Sequence, residues 1–203
     1  MMVISIITGA IFPPMFIITG RSEAKYEQFV PIIAGYSVIA TEKAYIDSHS
    51  WLEWMKKVFI PYAKPTPDKR VLLLIDNLRT HLTFDSVKYA SDNGVDIFPF
   101  PPRASHILQP LDVGVFGPLK TLVEIEWLDA MLQHEDLDIL MLIRSIMKPS
   151  VFDKAFASPS IVKGWMDTGL RPFDPNKIDH SRLTPDEKKA TTLFLPFIDD
   201  KIQ

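Results

Sequence analysis

The stretch VLLLIDNLRTHLT, residues 71 to 83, decides the fold class. It opens with five consecutive apolar residues, Val71 to Ile75, which is the pattern of a strand buried on both faces of a sheet. Asp76 then ends the apolar run with a charge. The sequence therefore predicts a buried strand that carries a carboxylate at its carboxyl end.

A helix and a second strand are predicted directly after this strand. The helix spans residues 83 to 93, with Thr83 as its N-cap, and Gly94 stops it. The apolar residues expected on its buried face are Phe84, Val87 and Ala90. Residues 95 to 100 then form a short apolar strand. Strand, helix and strand together are a βαβ unit, which predicts an α/β fold with helices packed on the sheet.

The first twenty residues, MMVISIITGAIFPPMFIITG, are uncharged and apolar. A signal peptide or a membrane span is one interpretation of this segment. However, no basic residues precede it, and Pro13-Pro14 would break a helix that needs about 20 apolar residues to cross a bilayer. We instead predict two buried strands joined by a turn, over Val3 to Thr8 and Phe16 to Thr19, and no membrane insertion.

Three other segments have the apolar spacing of helices. They span residues 50 to 60, residues 119 to 147 and residues 152 to 165, with Ser50 as the N-cap of the first. We predict one domain over residues 1–175. The charged segment 176–203 is predicted to be a loosely structured C-terminal tail.

The composition limits the partners that the chain can bind. With 203 residues the chain is long enough to bury one good-sized core. Its 22 basic and 25 acidic residues give a net charge of −3, the wrong sign for a domain that holds DNA mainly through a basic surface. It contains no cysteine, which excludes a disulfide framework and a thiol nucleophile and favours an intracellular setting.

Two carboxylates, Asp76 and Asp112, follow the two strands of the βαβ unit. Because the carboxyl ends of parallel strands meet at one edge of a sheet, we expect the two side chains to converge there. They would repel each other unless a cation such as Mg²⁺ or Mn²⁺ lay between them, and such ions support phosphoryl transfer. For Asp112 a second interpretation stays open, namely the cap of a helix that starts near Val113.

The sequence around the two acids resembles a known family. Residues 72–83 and 100–120 closely resemble the second and third acidic motifs of the DDE-type transposase catalytic domain, in the pogo, Tigger and jerky branch. Centromere protein B is a domesticated relative of that branch. In the second motif a histidine, His81, lies five residues after the acid. The third motif is present as Pro101-Pro102, Ser105-His106 and Gln109-Pro110-Leu111-Asp112.

The resemblance covers most of the chain and implies an RNase H-like fold, a mixed sheet with flanking helices. It implies a nuclear protein that cleaves and transfers DNA strands with two Mg²⁺ or Mn²⁺ ions. Asp76 and Asp112 would be catalytic residues and metal ligands, the second and third acids of the family. The first acid lies on the central strand, upstream of the segment that residues 3–20 resemble. We therefore expect a domain truncated at its N-terminus, without that strand and inactive.

Several residues beside the acids are candidates for supporting roles. His81 and His106 could orient the acids or contact a phosphate, Asn77 is a further supporting residue, and Gln109 is expected to fix the geometry before Asp112. The basic residues that could contact phosphate are Arg79, Arg103 and Lys120. Hydrogen-bonded structure is the alternative for the histidines, and solvated surface is the alternative for the basic residues. The pair Trp51 and Trp54 is predicted to be core and not a platform for base stacking.

The leading hypothesis is a transposon-derived, DDE-type, nucleic-acid-binding domain whose partner is DNA and which has no membrane partner. A homo-oligomer is a further expectation. Two alternatives stay open, a non-catalytic domesticated module that binds nucleic acid or protein, and an inactive fragment. Sequence-specific DNA recognition by this chain alone is not expected, because the sequence shows no helix-turn-helix region.

Overall fold

The strands of the protein form two separate parallel pairs. The computed structural model describes Ser5 and residues 8–20, 37–133 and 149–192. Strand β1 (Met15–Thr19) pairs with β2 (Ser37–Thr41), and β3 (Val71–Ile75) pairs with β4 (Val95–Pro99). No described strand joins the two pairs. The single mixed sheet that the resemblance implies is therefore not formed by the described residues.

Helices connect and flank these pairs. Helix α1 (Ser48–Trp54) continues through a π-helical segment (Met55–Phe59) into α2 (Ile60–Ala63), and α3 (Phe84–Asp92) connects β3 to β4. After β4 the chain forms α4 (Ser105–Leu108), α5 (Pro110–Gly114), α6 (Phe116–Gln133), α7 (Pro149–Ala155) and α8 (Ser158–Asp167). The described 3₁₀ turns are Arg79–His81, Pro175–Lys177 and His180–Arg182.

The predicted unit of strand, helix and strand is confirmed. β3 and β4 run in parallel with Val71 opposite Val95. Thr83 caps α3 as predicted, because its side chain accepts a hydrogen bond from the backbone N–H of Ser86. Gly94 ends the connection with a φ of +75°, a conformation that favours glycine. This unit brings Asp76 to the carboxyl end of β3.

The buried face of α3 agrees only in part with the one that the apolar spacing predicts. Ser86 and Ala90 are buried, whereas Phe84 and Val87 are 79% and 43% exposed. The Ser86 hydroxyl lies 2.8 Å from the Thr83 hydroxyl, so burial does not leave it unsatisfied. The prediction is therefore confirmed for Ala90 and wrong for Phe84 and Val87, because it ranked residues by apolar character alone.

The strands lie between two hydrophobic clusters. One cluster is built largely from the helices that follow β4, and the other largely from α1 and the π-helical segment. Because successive side chains of a strand point to opposite faces, Leu72 and Leu74 contact the first cluster, while Leu73 and Ile75 belong to the second. The prediction of a strand with apolar contacts on both faces is confirmed for β3.

The N-terminal segment contains one of the two predicted strands among its described residues. β1 covers the predicted strand at Phe16 to Thr19. The other predicted strand, Val3 to Thr8, lies mostly outside the described residues. In the described part of the chain, no helix combines the length and the apolar character needed to cross a membrane.

Two predicted helices differ in their extent. The helix predicted over residues 119 to 147 is present as α6, and residues 134–148 lie outside the described part. The helix predicted over residues 152 to 165 is two helices, α7 and α8. A proline, Pro159, lies in the first turn of α8, where its missing N–H costs nothing and favours a new helix start.

The segment after residue 175 packs on the core. Ile178 and Leu183 are buried in the first hydrophobic cluster. The backbone N–H of Thr184 donates to a carboxylate oxygen of Glu187 at 2.8 Å, and residues 185–192 are helical. This differs from the loosely structured tail that the charge pattern predicts, because the two apolar residues anchor the segment. Residues 193–203 lie outside the described part.

Candidate functional site

Asp76 lies directly after β3, as predicted. Its side chain is 42% exposed, yet Oδ1 is shielded from solvent and has no hydrogen-bond partner among the described residues. Oδ1 lies 2.7 Å from Nδ1 of His81, but the two atoms are not aligned as a hydrogen bond. The exposure of the side chain therefore leaves Oδ2 as the carboxylate oxygen that faces outward.

His81 is a buried residue, 7% exposed, in the 3₁₀ turn that follows β3. Its ring stacks on Trp51 with the centroids 4.1 Å apart, and Trp51 stacks on Trp54 with the centroids 5.0 Å apart. Both tryptophans are buried, which confirms that they are core residues. These three rings, called the aromatic stack below, connect the second hydrophobic cluster to Asp76.

Helix α1, which carries Trp51, begins with a capping box. The backbone N–H of Ser50 donates to Asp47 Oδ1 at 2.8 Å, and the backbone N–H of Asp47 donates to Ser50 Oγ at 2.9 Å. The hydrogen bond from Ser50 to the carboxylate lowers the pKa of Asp47. The N-cap is therefore Asp47, and the prediction of Ser50 was wrong. The box fixes the start of the helix that supports the aromatic stack.

Asp112 follows β4 in the chain as predicted, but it lies in the first turn of α5 and not at or just past the carboxyl end of the strand. The chain forms α4 between β4 and this helix, so a helix and not the sheet presents the carboxylate. The N-cap of α5 is Gln109, so Asp112 is not the cap residue. Its side chain is exposed and makes no hydrogen bond with a described residue.

The two carboxylates nevertheless interact. Partial desolvation by the surrounding protein raises the pKa of Asp112, although the residue is exposed by surface area. The negative charge of Asp76 raises this pKa further, and His106 opposes both effects. Asp76 and Asp112 therefore lie close enough to repel each other, which is the arrangement that a divalent cation stabilises.

Two glycines fix the position of α5 against α8. A Cβ atom on Gly164 would lie 2.4 Å from the carbonyl oxygen of Pro110, and one on Gly114 would lie 2.9 Å from that of Ser160. The two backbones are thus in direct contact, and any larger residue would separate them. This contact fixes the first turn of α5 and with it Asp112. Sequence reasoning missed it, since spacing does not show which glycines face each other.

The polar residues predicted to support the acids lie in different environments. Asn77 is exposed after β3, and Gln109 is half-buried at the start of α5. His106 is exposed on α4, and its charge acts on Asp112. His81 alone of these four is buried and contacts an acid directly. The structure thus brings His81 to Asp76 and leaves Asn77 at the surface.

The three basic residues predicted to contact phosphate are all exposed. Arg79 lies in the 3₁₀ turn after β3, and Arg103 lies in the turn after β4 with a φ of +60°. Lys120 lies on α6, with Nζ 3.9 Å from a carboxylate oxygen of Glu124. The pKa of Glu187 is lowered mainly by the hydrogen bond from the backbone N–H of Thr184. The positive charge of Arg103 lowers it further. Phosphate contact by these residues stays a prediction.

Asp76 and Asp112 fit a divalent cation as two of its ligands. Carboxylate oxygens are preferred by Mg²⁺, and the charge of Asp76 acts on Asp112 and raises its pKa. Within the described part of the chain, no group of three or more His, Cys, Asp or Glu side chains could hold a metal ion. The fit is therefore partial, and water or another donor would have to supply the remaining ligands.

The fold and the site define an α/β domain in which two repelling carboxylates come from separate segments. The family model of the DDE superfamily endonucleases matches residues 2–168, and the chain belongs to this family. Its short parallel strand pairs and helices are consistent with a DDE or RNase H-like domain. Enzymes of this family are generally metal-dependent.

One protein with a similar sequence is named as a transporter and not as an endonuclease. The MFS-type transporter clz9 of Cochliobolus lunatus is 27% identical over 183 residues, which cover 87% of this chain and 20% of that protein. The chain thus spans about a fifth of that relative's length, and the transport in its name is not attributed to this chain. No solved structure matches the chain.

Proposed function

We propose that the chain is a transposase-derived domain of the pogo, Tigger and jerky type that binds DNA in the nucleus. Asp76 and Asp112 would hold Mg²⁺ or Mn²⁺ as the second and third acids of the DDE set. The observation that carries this proposal is the proximity of the two motif carboxylates: burial, and after it the charge of Asp76, raises the pKa of Asp112. The family match and the two motifs support it.

The chemistry of the site follows from its charges. A bound divalent cation supplies positive charge that favours phosphoryl transfer at a DNA phosphate. Asp76 Oδ2 and the Asp112 carboxylate would hold that ion, and exposed Arg79 would contact phosphate beside them. Two carboxylates hold a cation less firmly than three. We therefore expect the described residues to bind the ion weakly and not to support strand cleavage without a third donor.

The surface charge determines how DNA would bind. The chain has a net charge of −3, so a general attraction to DNA is absent. Contacts from Arg79, Arg103 and Lys120 would have to be local. We expect affinity for DNA to be low and to fall steeply as salt is added, because phosphate contacts release counterions.

The proposal is tested by Mn²⁺ binding to the full chain, followed by the electron paramagnetic resonance signal of free Mn²⁺. We expect Asp76→Asn and Asp112→Asn each to weaken binding at least about tenfold. Asp153→Asn, which removes an exposed acid on α7, is the matched control and should bind as the wild type. A wild-type chain that binds no Mn²⁺ would overturn the metal site.

A plasmid assay tests the expectation that the chain does not cleave DNA. Supercoiled DNA is incubated with the chain and Mg²⁺ or Mn²⁺, and nicked product is measured. We expect no nicking. Nicking that Asp76→Asn abolishes would show that the described residues suffice for cleavage and would contradict the expectation of an inactive chain.

A non-catalytic protein-binding module is the second candidate, favoured by the surface of α6. This helix exposes large apolar side chains to solvent, a property typical of interaction surfaces. They are Ile125, Trp127, Leu128, Met131 and Leu132, with exposures from 44% to 85%. The two candidates are separated by the variant that carries both Asp76→Asn and Asp112→Asn. We expect this double variant to lose the function of the chain if that function depends on the metal site. We expect the function to be unchanged if the chain only binds protein.

A further inference from the structure

His81 lies between the hydrophobic core and the candidate metal site. We propose that His81 is a positioning residue, which holds the Asp76 carboxylate so that Oδ2 faces the cation, and that Trp51 in turn fixes His81. This inference deepens the proposed function and rests on it. The geometry that carries it is a buried imidazole stacked on an indole and placed against one oxygen of a strand-end carboxylate.

The contact with His81 restricts the rotation of the Asp76 carboxylate. The terminal torsion of an aspartate is soft, so a solvated carboxylate at a strand end would turn freely. Here Oδ1 and His81 Nδ1 are 2.7 Å apart and both shielded from solvent. Turning the carboxylate away would give up this close polar contact, and no described residue offers either shielded atom a hydrogen bond in its place. Oδ1 is therefore kept toward His81.

The aromatic stack restricts the imidazole itself. The rings of His81 and Trp51 are 29° from parallel with their centroids 4.1 Å apart, and His81 is only 7% exposed. Packing against the indole limits the tilt of the ring. Nδ1 is the ring nitrogen that lies against Asp76, and Nε2 has no hydrogen-bond partner among the described residues.

The other acid has no comparable support. Asp112 is exposed, and its histidine neighbour His106 is exposed as well and acts on it through charge. Groups that orient a metal ligand from behind typically change metal affinity 10–100-fold when they are removed. Removing the ring nitrogens of His81 should therefore weaken cation binding even though both carboxylates remain.

The test compares two replacements of His81 that separate packing from polarity. His81→Phe keeps the ring stacked on Trp51 and removes both nitrogens, while His81→Asn loses the stack and keeps an N–H donor. We expect His81→Phe to bind Mn²⁺ about tenfold more weakly than the wild type at an unchanged unfolding temperature. His81→Asn should unfold at a lower temperature and yet bind Mn²⁺ more tightly than His81→Phe. If Mn²⁺ affinity instead follows the unfolding temperature, His81 is structural and the proposal is overturned.

A metal-free measurement keeps this inference apart from the proposed function. The ¹⁵N resonances of the histidine rings are recorded for the full chain and for Asp76→Asn. We expect both ring nitrogens of His81 to shift, whereas those of His180, exposed in another turn, should not. If the wild type binds no Mn²⁺, the proposed function fails, and a shifted His81 resonance still supports the fixing of Asp76. Unshifted His81 resonances overturn the inference whatever the metal does.

Discussion

The two acids of the candidate site are held in opposite ways. Asp76 follows a strand and lies against a buried ring of the aromatic stack. Asp112 lies on a helix of five residues whose position depends on direct backbone contact at Gly164. The position of Asp76 therefore depends on the packing of large side chains, and the position of Asp112 depends on the absence of a side chain at Gly164. Substitutions that disturb one support should leave the other intact.

Removal of Trp51 should have the largest effect on this comparison. Trp51→Ala leaves a cavity under His81, and truncation of a buried aromatic typically costs about 3–5 kcal/mol in the free energy of unfolding. Trp127→Ala removes the same side chain from an exposed face of α6 and should cost about 1 kcal/mol or less. Urea unfolding measures both values. Equal losses would show that the aromatic stack does not stabilise the Asp76 side of the site.

Filling the contact between α5 and α8 should have the next largest effect. Gly164→Ala places a Cβ 2.4 Å from a backbone oxygen, which cannot move aside as a side chain can, and should cost about 1–3 kcal/mol. Gly117→Ala in α6 meets no atom within 4 Å and should gain up to about 1 kcal/mol from helix propensity. Thermal unfolding of both variants shows whether each substitution stabilises or destabilises the chain. A stabilising Gly164→Ala would contradict the close contact.

The smallest predicted effect is that of the Asp112 charge. Its folded-state pKa lies above the ordinary value of 3.8, so the folded chain holds this proton more tightly than the unfolded chain. Stability from this group is therefore present at low pH and is lost as pH rises above 3.8. At pH 7, Asp112→Asn should raise the free energy of unfolding by less than about 1 kcal/mol, since exposed charges interact weakly.

Asp179 offers a control of opposite sign. Hydrogen bonds from Ser181 lower the pKa of Asp179, so its contribution to stability is present above 3.8 and is lost as pH falls through the lowered pKa. Asp179→Asn should therefore destabilise the chain at pH 7. Unfolding curves recorded between pH 3 and pH 7 compare the two variants. If Asp112→Asn destabilised the chain at pH 7 as Asp179→Asn does, Asp112 would not be under repulsion from Asp76.

The Asp76 side of the site could be predicted from the sequence because its signals are local. An apolar run, a capping threonine and a glycine with positive φ together determine β3, α3 and β4. Each signal acts within a few residues, so it needs no knowledge of tertiary contacts. The position of Asp76 after the strand follows from the same pattern.

The Asp112 side could not be predicted in the same way. The apolar spacing predicts neither α4 nor α5, so the sequence places Asp112 at or just past the end of β4, with the cap of a helix near Val113 as the open alternative. The contact of Gly164 with Pro110 joins distant positions in the chain, and so does a non-local support on the Asp76 side, the stacking of His81 on Trp51. Such contacts depend on which side chains meet after folding, which apolar spacing does not contain.

The chain separation of these contacts has a consequence for the order of folding. The β3–β4 ladder joins residues 71 and 95, while the contact of α5 with α8 joins residues 110 and 164, more than twice as far apart. Each doubling of a closed loop costs about 0.6 kcal/mol of chain entropy. We therefore expect the strand that ends at Asp76 to form before the helix pair that positions Asp112. A newly made chain would pass through a stage with one acid in place, unable to chelate an ion until its last helices dock.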